Sequence, residues 1–261
     1  MNDLNSLTQE IRRDIIKMIY TAGSGHPGGS LSSVEFFVSL FFGGIKKPED
    51  YFILSNGHVC PAWYATLAHA EVIKHEQLLT LREFCSPLQG HPEKGRLPQI
   101  LTTTGSLGQG ICVAVGLALG LKRKKMTQRV FCLTSDGEQD EGSVWEAARI
   151  ASHYSLDNLY LAVDRDMMQI GGKTEEVSRL EPLLDKYLAF GFDAWEIDGH
   201  NLDEINSAFN ETSTQYGKPK VVILKTIRGK GVSFMEGDPR YHAKTITAEE
   251  YQKAMGELNA A

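Results

Sequence analysis

The chain lacks a long apolar run, an excess of positive charge, a cysteine-pairing pattern and any low-complexity segment. Its longest apolar stretch, Ile111 to Leu121, is interrupted by Gly116 and Gly120 and is too short to cross a bilayer. Net charge is −6, from 27 Lys and Arg against 33 Asp and Glu, which argues against nucleic acid or a membrane surface as partner. The one basic cluster, Lys122 to Lys125, reads as a helix end whose cations complement the C-terminal dipole. Cys60, Cys85, Cys112 and Cys132 form no C-x-x-C pair, so neither zinc nor a disulfide framework is expected, and a reducing cytoplasm is. The polar start, Met1 to Asn5, has neither the basic end nor the apolar stretch of a secretory signal. With 261 residues, 42% of them apolar, the chain can bury a large core, and length alone allows one or two domains.

What is present is an alternation of helical and strand patterns. Leu4, Leu7, Ile11, Ile15, Met18 and Ala22 recur at spacings of three and four, which predicts an amphipathic first helix. A second helix is expected over Ser33 to Phe42, a strand over Tyr51 to Leu54, and helices over Pro61 to Val72 and Leu78 to Phe84. Ser86 to Leu101 reads as a loop, and Leu107 to Lys125 as a helix. Later come strands at 129–134, 159–163, 192–197 and 221–225, separated by helices that include 180–190 and 202–209. Strands alternating with helices predict an α/β fold: a mostly parallel sheet with helices on both faces.

Two strand ends carry the chemistry. The strand 129–134 runs into Ser135-Asp136-Gly137, and the strand 159–163 into Asp164-Arg165-Asp166-Met167-Met168. A right-handed crossover brings Asp136 and Asp166 out at the carboxyl ends of neighbouring parallel strands. Oxygen ligands beside glycine turns suit Mg²⁺ carrying a diphosphate. Asp136 could alternatively serve only as a helix cap. The run Gly105-Ser106-Leu107-Gly108-Gln109-Gly110 has the wrong spacing for a dinucleotide fingerprint and follows a loop rather than a strand. His26, His58 and His91 each follow a glycine in a loop able to aim a side chain into a cleft; His69, His75, His153 and His200 match no motif and read as structural.

The pattern resembles the thiamine-diphosphate motif, which begins Gly-Asp-Gly and closes with an Asn about thirty residues later. Five further blocks resemble the successive signatures of transketolase, in the family's order. They are Ser24 to Gly29, Leu54 to His58, Gly90 to Glu93, Thr103 to Gly110, and Lys225-Thr226 with Gly229-Lys230-Gly231. The resemblance covers only that family's N-terminal, diphosphate-binding domain. It implies a single such domain over residues 1–261, with the pyrimidine-binding and C-terminal domains on a separate chain.

The activity so implied is transfer of a two-carbon ketol unit from a ketose phosphate to an aldose, with a place in the pentose phosphate pathway. The implied cofactors are thiamine diphosphate and Mg²⁺, for which Ca²⁺ or Mn²⁺ can substitute. Asp136, Asp166 and Met168 are then metal ligands, and His58, Gly105, Ser106, Leu107, Gly137 and His242 join the two acids in holding the cofactor. His26, His58, His91 and His242 are implied for diphosphate contact, recognition of substrate hydroxyls and proton transfer near pH 7, where His titrates. Glu141 resembles the family's buried acid in a relay between cofactors across the dimer interface; its other reading is a first-turn complement to a helix dipole. The family's activating glutamate and its phosphate-binding arginines lie in the missing domains. A partner subunit, in a heterotetramer of two plus two, is therefore expected to complete the enzyme.

Two departures stand out: Ser135 replaces the motif's first glycine, and Asp166 replaces its Asn. Asp166 keeps an oxygen ligand but adds negative charge beside a diphosphate. At an effective dielectric near 20, two unit charges ~4 Å apart interact by about 4 kcal/mol. Two other readings fit the same residues. One is a component of another thiamine-diphosphate enzyme, such as a deoxyxylulose-phosphate synthase or a 2-oxo acid dehydrogenase. The other is a non-catalytic regulatory paralogue.

Overall fold

The computed structural model describes residues 4–211 and 217–260. The outermost residues of the polar start, Met1 to Asp3, lie outside the described residues. Among the described residues, no helix is long and apolar enough to cross a membrane.

Five parallel strands form the central sheet in the order β1-β2-β3-β7-β6. They are β1 Tyr51–Leu54, β2 Val130–Ser135, β3 Leu159–Arg165, β6 Asp193–Asp198 and β7 Lys220–Lys225. A two-stranded hairpin, β4 Met168–Gln169 with β5 Gly172–Lys173, projects beyond β3. Alternation along the strands divides the core between two faces. Phe131 and Leu133 of β2 and Val222 and Leu224 of β7 point to one face, with the helices α1 Leu4–Ala22, α3 Val34–Phe42 and α4 Cys60–His69. Val130 and Cys132, with Val221 and Ile223, point to the other, under α5 Gln109–Arg123, α6 Gly142–His153 and α8 Leu183–Ala189. The parallel sheet with helices on both faces is the expected architecture.

Most elements fall within a few residues of their expected bounds; besides the β4–β5 hairpin and a one-turn helix at Thr174–Val177, three differences bear on the site and the core. The helix expected over Leu78 to Phe84 is instead a 3₁₀ turn, His75–Thr80. Beyond it the chain is bent at Arg82, whose φ is 64° and whose N–H donates to Leu88 O at 2.8 Å. Fixing Arg82 against the following loop wins over the local helical pattern. A short helix α2, Pro27–Ser32, precedes α3, with proline at its permitted first position. The helix α10, Ala248–Ala260, was not anticipated; it buries Ala254 and Leu258, and its Tyr251 ring stacks on Tyr20 of α1 at 4.2 Å.

Candidate functional site

The carboxyl ends of the parallel strands open into one cavity, where an open α/β sheet places its ligands. Its lining includes all four singled-out histidines together with Asp136, Asp166 and Arg228. His26 enters just before α2, His58 after β1, His91 from the long loop, and His242 from a 3₁₀ turn at 239–242. The His26 ring centroid lies 5.5 Å from that of His58, 5.6 Å from His91 and 5.5 Å from His242. Segments 216 residues apart in sequence thus converge, as the difference between 26 and 242 shows.

Burial sets the electrostatics of these rings. His26 is lowered from 6.5 to about 3, first by desolvation and then by His242, Arg82 and His91. His242 is lowered to about 4 by burial and by Arg228. His58 lies well below its ordinary value and His91 below it, burial again being the main cause. All four imidazoles are therefore neutral at pH 7, the form in which the sequence reading has them move protons. Arg228 Nη1 lies 3.1 Å from His242 Nδ1, and Arg82 Nη2 lies 3.4 Å from His26 Nδ1. A guanidinium can only donate, so in both rings Nδ1 accepts and the neutral proton sits on Nε2.

The acid wall is more tightly organised than expected. Asp136 caps the turn after β2, its Oδ1 accepting Gly137 N–H at 2.8 Å, while its Oδ2 takes Arg165 Nη1 at 3.1 Å. Its pKa stands well above the carboxylate range because it is buried and faces Asp166. Asp166 is raised to about 6, burial outweighing the opposing pull of Arg228. Arg228 donates from Nε to Asp166 Oδ2 at 2.7 Å and from Nη2 to Asp166 Oδ1 at 3.1 Å. The same Nη2 donates to the Met168 carbonyl at 2.8 Å. The negative charge that Asp166 adds is thus faced by a buried guanidinium. Behind both acids, Asp164 is tied down by Ser32 and Ser33 at 2.7 Å each, and by Thr226.

The other expected positions divide. Gly105, Leu107, Gly137 and Met168 line the cavity, whereas Ser106 is exposed and does not. Glu141, expected to be a buried acid, is exposed in this chain. The buried acid of that turn is Glu138, whose Oε1 takes Ser55 Oγ at 2.5 Å and Gly108 N–H at 2.7 Å. Burial raises Glu138 to about 7. Glu141 instead begins α6, where its backbone carbonyl serves the first turn and its side chain points to solvent. Glu138 therefore links the Asp136 turn to the glycine-rich loop. Arg228, Arg82 and Glu138 were missed in the sequence; Arg228 stood inside the last glycine block, unmarked.

Two carboxylates and a carbonyl on one wall form an oxygen donor set suited to a hard divalent cation. The acids are disfavoured by burial and by each other, a cost a cation between them would relieve. The adjoining backbone is bare: a Cβ on Gly105, at φ +133°, would approach His91 Cδ2 to 3.0 Å. One on Gly137 would meet Gln169 Cβ at 3.2 Å. The cavity thus fits a metal-bound diphosphate.

Comparison with known proteins gives the family. Residues 4–259 match the family model described as transketolase, thiamine diphosphate binding domain. The chain is 42% identical over 264 residues to the 6-deoxy-6-sulfo-D-fructose transketolase subunit SqwG of a Clostridium species, covering 98% of this chain and 96% of that one. It is 39% identical over 260 residues to one subunit of the apulose-4-phosphate transketolase of Phocaeicola vulgatus, covering 97% of this chain and 92% of that one. It superposes on the solved transketolase from Leishmania mexicana with a TM-score of 0.92 at 28% identity, covering 99% of this chain but 42% of that longer one. The chain belongs to the transketolase family, as a thiamine-diphosphate-binding domain.

Proposed function

We propose that the chain is the cofactor-binding subunit of a two-component transketolase, transferring a two-carbon ketol unit from a ketose phosphate to an aldose or aldose phosphate. The observation that carries this reading is the cavity itself: four neutral imidazoles face a wall of two acids and a carbonyl. Support for a split enzyme comes from relatives of nearly the same length that are named as transketolase subunits, against solved transketolases more than twice as long. The relatives' names specify two different sugars, one a phosphate (apulose-4-phosphate) and one a sulfonate (6-deoxy-6-sulfo-D-fructose), so no particular ketose is singled out, and the ketose phosphate proposed here stands as a class only. A partner supplying the pyrimidine-binding and C-terminal domains, two plus two assembly and a cytoplasmic location belong to the same proposal.

In this reading Asp136, Asp166 and Met168 hold Mg²⁺, and Gly105, Leu107 and Gly137 admit the diphosphate and its neighbouring rings. Bound thiamine diphosphate supplies a stabilised carbanion to the substrate carbonyl; the protein supplies orientation and hydrogen bonds. Arg165 and Arg228 hold the acids in place and spread their charge. His242 and His26, each with Nδ1 turned to an arginine, offer Nε2–H to substrate oxygens as donors. His58 and His91 complete a ring of polar groups able to address sugar hydroxyls. Glu138 fixes the distance between the metal turn and the glycine-rich loop. Glu141, exposed on this chain, is assigned to the interface with a second copy of the assembly.

The test is calorimetric titration of thiamine diphosphate with Mg²⁺ into the assembled complex, comparing the wild type with Asp136→Ala. Loss of Mg²⁺-dependent binding is expected, because the cation loses a charged ligand. Unchanged affinity would contradict the proposed site.

A further inference from the structure

At the opposite end of α4 from the histidine cavity, three side chains from three elements converge. His58, two residues before α4, lines the cavity, and the ten residues of α4 carry the chain about 15 Å away. Asp14 lies on α1, His69 is the last residue of α4, and His75 opens the 3₁₀ turn His75–Thr80. His69 Nε2 and His75 Nε2 each lie 2.8 Å from the same oxygen, Asp14 Oδ2. Their rings meet edge to face, 5.0 Å apart and 83° inclined. One ligand atom from each of the three falls within 4.8 Å of the others, and no other such group of three occurs among the described residues.

We propose that Asp14, His69 and His75 form a binding site for a divalent transition metal of the Zn²⁺, Co²⁺ and Ni²⁺ class. Two imidazoles with one carboxylate select for that class rather than for Mg²⁺ or Ca²⁺, which take oxygen sets. Both Nε2 atoms point at one place, so a cation there takes two nitrogen lone pairs once each neutral ring carries its proton on Nδ1. For His69, Glu10 Oε2, one helical turn before Asp14, lies 3.7 Å from Nδ1, too far for a hydrogen bond but near enough to favour a proton on that side. A carboxylate behind a ligating imidazole is the arrangement that orients such ligands.

The site is open on one side, since the His75 side chain is 50% exposed while those of His69 and Asp14 are 14% and 17% exposed. That leaves an entry path and room for water at the remaining coordination positions. Occupied, the site pins α1, α4 and the 3₁₀ turn together. The chain from that turn leads to Arg82, which reaches His26 in the cavity. The histidines read from sequence as merely structural thus acquire a ligand.

The test is Co²⁺ titration of the full chain, followed by visible absorption and calorimetry, with Zn²⁺ as competitor. The cavity offers Co²⁺ other places, at its histidines and at Asp136 and Asp166, so His91→Ala and Asp136→Ala are measured beside His75→Ala and His75→Asn. His75 is half-exposed, so these variants should fold, and circular dichroism checks it. One equivalent at micromolar affinity that persists in His91→Ala and Asp136→Ala is expected, weakened 30-fold or more in both His75 variants. Zn²⁺ should also raise the unfolding temperature of the wild type and not of His75→Ala. Uptake that is absent in the wild type, or undiminished in the His75 variants, would overturn the site.

Discussion

Arg228 grips both carboxylate oxygens of Asp166 from 62 residues away in sequence, with neither side chain more than 5% exposed. The aspartate that departs from the family's asparagine is therefore half of a buried ion pair. Its charge is answered before any cation arrives, and the Arg228 guanidinium extends the pairing to the Met168 carbonyl.

Asp166→Asn consequently strands Arg228. Removing one partner of a buried pair costs about 3–5 kcal/mol, whereas replacing both is far less harmful. Denaturant unfolding should show Asp166→Asn strongly destabilised and the double change Asp166→Asn with Arg228→Gln partly restored. Equal losses that simply add would mean that the two side chains do not act as a pair.

His26 should stay neutral through mildly acidic pH. Its folded pKa of about 3 lies below the ordinary 6.5, so between those values the unfolded chain binds more protons than the folded one. Stability carried by the neutral ring is therefore full above pH 6.5 and lost as pH falls toward 3. Proton NMR of the imidazole C2–H should show no titration of His26 between pH 7.5 and 5. A midpoint near 6.5 would contradict the burial described here.

Two glycines of α5 should respond oppositely to alanine. A Cβ on Gly110 would meet Ser55 Cα at 2.5 Å, so the start of α5 must move away from the end of β1. Gly110→Ala should cost about 1–3 kcal/mol. A Cβ on Gly116 meets nothing within 4 Å, and Gly116→Ala should gain roughly 0.5–1 kcal/mol from helix propensity. Thermal unfolding of the two variants tests both signs.

Glu138→Ala should loosen the cavity. It leaves the Gly108 N–H and the Ser55 hydroxyl without their buried acceptor, at about 1–3 kcal/mol for each unsatisfied group. Hydrogen exchange should rise at Gly108 and the first turn of α5. Exchange unchanged there would mean that another group holds the loop.

The fold was legible because its strands are short apolar runs between helical patterns, and because β2, β3 and β7 are apolar on both faces. The histidines were legible because glycines and prolines beside them mark loops. Arg228 was not, since nothing local in Ile227-Arg228-Gly229 shows that Asp166 lies against it. Glu138 and Glu141 have the same chemistry three residues apart, and only the 3₁₀ turn at Gly137–Asp140 decides which of them turns inward. The helix α10 did leave a local sign: Thr247 and Glu250 form a capping box, with Glu250 Oε2 accepting Thr247 N–H at 2.9 Å and Thr247 Oγ1 accepting Glu250 N–H at 3.2 Å.

The central claim is that this chain holds the cofactor and a partner completes the reaction. A coupled assay of ketol transfer from xylulose phosphate to an aldose phosphate, with saturating thiamine diphosphate and Mg²⁺, tests it directly. The chain alone should give no turnover, and adding a purified partner that carries the pyrimidine-binding and C-terminal domains should restore it. Robust turnover by the chain alone, or carbon dioxide release from pyruvate as the dominant reaction of the complex, would contradict the claim.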